Sequence, residues 1–158
     1  MQKCVWQQTP KFASQDVLLI TLFQIVSKTF HRAFDATWDP HQSAKVIAEM
    51  GFDRVLTSGQ QLTALEGKTL LRHLSRDFKG KLEILPGGGI SETNLKELSS
   101  YLLEDDVKQF HASAKVKKYS SVKFQNDKCK MGPNSEDYCY YVACPERVGK
   151  MAAILNSF

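Results

Sequence analysis

Two histidines, one aspartate and a run of three glycines are the residues of this chain best suited to chemistry. The first group lies in Thr29-Phe30-His31-Arg32-Ala33-Phe34-Asp35. Read as a strand, this stretch places Thr29, His31, Ala33 and Asp35 on one side and Phe30, Arg32 and Phe34 on the other. The phenylalanines suit burial against helices, so His31 and Asp35 face a ligand-bearing mouth. An imidazole beside a carboxylate there makes an acid–base pair or a metal site. The alternative is a hydrogen-bonded structural network, because buried polar groups must be paired. Arg32, on the helix side, needs a carboxylate partner or an anion.

Three further segments are polar or glycine-rich. Leu56-Thr57-Ser58-Gly59 suits a tight strand-to-helix turn whose N–H groups could meet an anion. In Pro86-Gly87-Gly88-Gly89-Ile90-Ser91, the glycines let the backbone approach a ligand closely. Ser91 then reads as the cap of a helix running to Leu102, and a helix N-terminus aimed at a glycine loop suits phosphate or carboxylate. In Phe110-His111-Ala112-Ser113, His111 and Ser113 share one side, next to the glycine loop if the strands are neighbours. His41 and His73 fall on helical segments and read as surface residues.

The thiols offer no metal motif. Cys4, Cys129, Cys139 and Cys144 form no C-x-x-C pair and have no histidine at zinc-finger spacing. The apolar run from Val17 to Val26 is shorter than the ~20 residues of a membrane span, and no small-residue cleavage site follows it. The expectation is therefore a cytoplasmic chain with reduced thiols and no membrane partner. Composition agrees with a soluble globular protein: 158 residues, 42% hydrophobic, 24% charged and a net charge of +4. Six lysines fall between Lys115 and Lys130, interleaved with Tyr119 and Phe124. A nucleic-acid patch would look like this, but residues 115–144 show no clear period, and the stretch is read as a solvated, partly irregular loop with no nucleic-acid partner.

The elements that position these residues repeat as strand then helix. Strands are expected near Lys28, Asp53, Lys81 and Val107, at the spacing of one βα unit each. The helices between carry apolar stripes: Ala44, Ile47 and Ala48; Leu71, Leu74 and Phe78; Leu95, Leu98 and Leu102; Val148, Met151, Ala152 and Leu155. Pro40 and Pro145 suit first helical turns, and Gly51 and Gly80 suit helix ends. Ser14 to Val26 reads as a further helix capped by Ser14, after an aperiodic start. Repeated βα units imply a parallel sheet with its working residues beyond the C-terminal strand ends. Four units are half of a (β/α)₈ barrel, or a small open doubly wound sheet.

The strings TFHRAFD, GFDRVLTSG, ALEG, PGGGIS and FHASA, in this order, resemble the CutC copper homeostasis family, with a weaker echo from Phe124 to Gly132. The resemblance spans residues 28–155 and sets residues 1–27 apart as a divergent segment. It implies a TIM-type barrel of which this chain holds strands five to eight, a cytoplasmic location, self-association and a role in copper homeostasis with copper as the bound ion. The cysteines with the best claim to copper lie in the family's first strands, so the resemblance identifies no metal ligands here. Two other functions compete. One is an enzyme on a small anionic substrate, bound by Arg32, Thr57, Ser58, Gly59, Gly87, Gly88, Gly89, Ser91 and Ser113, with His31, Asp35 or His111 moving protons. The other is a truncated fragment with little activity of its own.

Overall fold

The computed structural model describes residues 26–126, 128 and 137–158. The expected helix over 14–26, the Met-Gly echo near Gly132, and Cys4 and Cys129 fall outside the described residues, apart from Val26 at the end of that helix.

Three strands form a parallel sheet in the order β1 (Thr29–Phe30), β2 (Arg54–Thr57), β3 (Glu83–Pro86). Helices α1 (Pro40–Glu49), α2 (Lys68–Asp77) and α3 (Leu95–Leu102) follow the strands in turn. Local signals set their ends. Asp39 accepts from the Gln42 N–H and Pro40 occupies the first turn of α1, so one orphan amide is capped and the missing Pro N–H costs nothing. Gly51 and Gly80 follow the helix ends with φ of +78° and +76°, the left-handed conformation that closes a helix.

Register fixes which side of the sheet is buried. Val55 and Ile84 face the helices and are buried with Leu71, Leu74, Leu95, Leu98 and Leu102. That burial of aliphatic side chains is the main stabilising term, roughly 1.5–3 kcal/mol for each large one. The opposite face carries Thr29, Arg54, Leu56, Glu83 and Leu85 and is only partly covered. Arg54 and Glu83, side by side in register, neutralise each other across it at 3.1 Å. A closed barrel fills this face with side chains from the remaining strands; among the described residues the sheet does not close.

Three expectations need correction. The segment from Thr29 to Asp35 is not one strand: β1 ends at Phe30, and Arg32–Ala36 turns as a 3₁₀ helix. The Nδ1 of His31 accepts from the Ala33 N–H and so starts that turn. The fourth strand, expected from Val107, is reduced to a single parallel bridge between Gly87 and His111, with His111 N–H donating to Pro86 O at 2.8 Å. Nor is residues 115–144 an irregular loop throughout. Lys115–Tyr119 (β4) and Cys139–Ala143 (β5) pair as an antiparallel ribbon. The last helix, α4 (Pro145–Leu155), packs Met151 into the core. Arg147 holds the ribbon's base, bound to Glu92 at 2.9 Å and donating to Lys115 O at 2.8 Å.

Candidate functional site

The C-terminal ends of β1 and β2 converge on one carboxylate. Asp35, carried by the 3₁₀ turn, is reached from five groups. Its Oδ1 accepts from the Thr57 hydroxyl at 2.5 Å and the Gln60 N–H at 3.3 Å. Its Oδ2 accepts from Arg32 Nε at 2.7 Å, and the Ser58 N–H lies 3.2 Å from each oxygen. The Ser58 hydroxyl has one proton, shared between Gln61 O at 2.6 Å and Asp35 Oδ2 at 3.1 Å. That same hydroxyl accepts from Arg32 Nη2 at 2.8 Å. Thr57 and Ser58 are fully buried, so their polar atoms need these partners.

Burial pushes the Asp35 carboxyl's pKa up, but the hydrogen bonds from Thr57, Arg32 and Ser58 outweigh it and leave it below the usual value. The carboxylate is therefore ionised and fully engaged near neutral pH. Such a group holds its neighbours in place; it is a poor acceptor of substrate protons.

The loops pack backbone to backbone around this network. A Cβ on Gly67, at the start of α2, would stand 1.9 Å from Ser58 O, and one on Gly59 would stand 2.4 Å from Gly67 O. Only hydrogen fits at that crossing. Gly88 has φ +117°, and a Cβ there would meet Arg32 Nη1 at 3.1 Å and Ser58 Cβ at 3.1 Å. The guanidinium thus lies against the glycine loop. Its Nη1 has no partner among the described residues, and the side chain is 44% exposed.

The residues singled out in the sequence are placed as follows. Arg32, Asp35, Thr57, Ser58, Gly59 and Gly88 come together. Arg32 does not turn to the helix side: the 3₁₀ turn swings it over the strand ends, and its carboxylate partner is Asp35. His31 is exposed, serves as the cap of the turn and makes no bond to Asp35. Gly87 touches His111, and a Cβ there would meet His111 Cβ at 3.2 Å. His111 and Ser113 are exposed, while Phe110 and Ala112 pack toward the core. Gly89 lies by Thr63. Ser91 is not the helix cap: α3 begins after Asn94, whose Oδ1 accepts from the Ser91 N–H at 2.9 Å. That bond occupies an amide expected to face an anion. Sequence reading missed Gln60 and Gly67. Gln60 donates to Asp35 and Thr37, and its φ of +57° has no signal in the sequence. The Gly67 of ALEG had one, a glycine just before a helix.

Among the described residues, no group of three or more His, Cys, Asp and Glu side chains could hold a metal ion. Cys139 opens β5 and Cys144 follows its last residue; neither is in a disulfide among the described residues, and Cys144 donates to Glu146. A cleft of about 540 Å³ lies at the other pole, by the N-terminal strand ends, lined by Phe52, Asp53, Ser75, Leu82 and Glu83 among others. It is remote from the Asp35 network.

Parallel βα units that deliver an arginine–aspartate–hydroxyl network and a glycine loop to one rim define an α/β protein. The chain belongs to the CutC family, whose model matches residues 14–116. It is similar to the copper homeostasis protein cutC homolog of Homo sapiens, 39% identical over 141 residues, 88% of this chain and 50% of that protein. It is also similar to the Mus musculus homolog, 40% identical over 114 residues, 72% of this chain and 41% of that protein. The Histophilus somni family protein CutC is 40% identical over 119 residues, covering 75% and 47% of the two chains. Among solved structures, the putative copper homeostasis protein CutC from Streptococcus agalactiae matches with a TM-score of 0.51 at 26% identity, over 61% of this chain and 46% of that one. The chain spans about half the length of the curated relatives it matches. No helix among the described residues is long and apolar enough to cross a membrane.

Proposed function

We propose that this chain serves copper homeostasis, the role its relatives' names carry, with Cu(I) as cargo in a cytoplasmic, reducing setting. Family membership over residues 14–116 is the observation that supports it. Cu(I) prefers thiolate ligands, so the cysteines are the groups to test. The test is Cu(I) uptake by the purified protein under reducing conditions, against a competing chelator. Uptake that falls with Cys139→Ser, Cys144→Ser or Cys129→Ser supports the reading. No uptake refutes copper binding by this chain. Self-association, and a TIM-type barrel of which these units are one part, belong to the same proposal; sedimentation that finds only monomer would remove the first.

A second reading rests on the Arg32 guanidinium. Asp35 and Ser58 hold two of its nitrogens, which leaves Nη1 beside Gly88 at the exposed rim. A planar donor fixed in this way suits a phosphate or carboxylate. The ligand would lie between Arg32 and the Gly87–Gly89 loop, with His31 or His111 next to it as the proton-transfer group. Titration with inorganic phosphate at millimolar concentration, followed by NMR of the Gly88 amide, tests this. A shift that is lost in Arg32→Ala supports it, and no shift refutes it.

A further inference from the structure

Three lysines of the segment set aside in the sequence as a solvated loop, Lys115, Lys117 and Lys118, are built into the β4–β5 ribbon, and that changes what it can do. From Val107 to Asn126 the chain carries Lys108, Lys115, Lys117, Lys118 and Lys123 and not one acidic residue. In β4 the residues alternate between two faces. Lys115, Lys117 and Tyr119 share one face, with Tyr141 of β5 directly opposite Lys117. Lys118 and Tyr140 are paired on the other. The cations and rings are mixed: Lys115 Nζ stands 4.3 Å from the Tyr141 ring centre, and Lys117 Nζ 5.5 Å from that of Tyr119. Tyr119 is 77% exposed and Phe124, just beyond the strand, 79% exposed.

We propose that this ribbon is a binding surface for single-stranded nucleic acid. Lys115, Lys118 and Lys123 put positive charge on both faces of the ribbon and just beyond it, which attracts a phosphate backbone, and the exposed sides of the Tyr119 and Phe124 rings give unpaired bases a stacking platform. The rings favour this partner over an acidic peptide, which would use the lysines alone. The ribbon is held firmly enough to present the surface. Arg147 ties Lys115 O to Glu92, Cys144 N–H donates to Ala114 O at 2.9 Å, and Ala114 is buried. The surface is separate from the Asp35 network.

The test is fluorescence anisotropy of a labelled oligouridylate of about a dozen nucleotides with the full chain. The competitors are the same sequence as a duplex, phosphatidylserine vesicles and polyglutamate. Binding is expected to weaken as salt rises, with a log–log slope of about −2 to −3 for three or four phosphate contacts. Tyr119→Ala and Phe124→Ala should each weaken it about tenfold. Phe124 lies outside the ribbon pairing, so its variant reads binding even where the Tyr119 variant disturbs the strand. No binding at low salt overturns the proposal. So does equal or tighter binding of vesicles or polyglutamate, or binding that ignores both aromatic substitutions, since each would mean general attraction to anions.

Discussion

Replacing Asp35 with asparagine removes a charge and changes almost nothing in shape, which makes it the sharpest probe of the rim. An asparagine can leave its carbonyl oxygen where Thr57 and Gln60 donate. Its NH₂ group then faces Arg32 Nε, now 2.7 Å from Oδ2, and the Ser58 N–H, so donors meet donors. Hydrogen bonds to charged groups are worth about 1.5–3 kcal/mol each, and two are lost. The Arg32 side chain is 44% exposed, so water replaces part of its share. The expected loss is about 2–3 kcal/mol at pH 7, or a fall in Tm of roughly 4–12 °C. Urea and thermal unfolding followed by circular dichroism measure it. A loss under about 0.5 kcal/mol, the size of an ordinary surface change, would refute the reading of Asp35 as the group that organises the strand ends.

Acid gives the same substitution a second readout. Hydrogen bonding holds the folded Asp35 carboxyl below its usual pKa despite burial, whereas the unfolded chain protonates it near pH 4. The unfolded state therefore binds the proton first as pH falls. Stability from this group is complete above about pH 5 and fades as pH drops through the folded value. The gap between wild type and Asp35→Asn should stay level from about pH 5 to 7 and shrink below about pH 4. A gap that ignores acid would mean that the carboxylate's charge contributes nothing.

Other perturbations test the packing around the network. Gly67→Ala forces a Cβ to within 1.9 Å of Ser58 O, and because backbone must move, the cost is expected to be about 3 kcal/mol or more in urea unfolding. Gly88→Ala combines φ +117° with contact on Arg32; a loss of about 1–3 kcal/mol and a weaker phosphate response by NMR are expected together. Leu98→Ala empties a fully buried position under the sheet and should cost about 2–5 kcal/mol. His73→Ala, on an exposed helix face, should stay within about 0.5 kcal/mol of wild type.

Much of the frame was legible in the chain because its causes are local. The stripe at Leu95, Leu98 and Leu102 is buried as its spacing requires, and Asp39 with Pro40 starts α1 as capping chemistry demands. The strand that ends in Thr57 and the glycine loop after Pro86 lie side by side, as parallel βα units place them. The family could be read from TFHRAFD and RVLTSG because those strings carry the rim itself. What alternation got wrong was the direction of side chains after Phe30. Strand periodicity put Arg32 against the helices, whereas the 3₁₀ turn sends it to Ser58, 26 residues away. Lys115–Tyr119 was missed for a related reason. Its strand has a weak apolar pattern and exists by pairing with Cys139–Ala143, 20 to 28 residues later.

By itself, then, the sequence determined the order of the βα units, the ends of α1 and the apolar faces of α1, α2 and α3, since capping, proline geometry and period act over a few neighbouring residues; of the stripe on α4 only Met151 is buried, and Val148 is 48% exposed. The tertiary structure alone decided that Asp35 would be held by Arg32, Thr57, Ser58 and Gln60, that Gly67 must clear Ser58, and that Lys115, Lys117 and Lys118 would stand on a paired ribbon. Each of those depends on groups far apart in the chain meeting at bonding distance, and no local pattern encodes such a meeting.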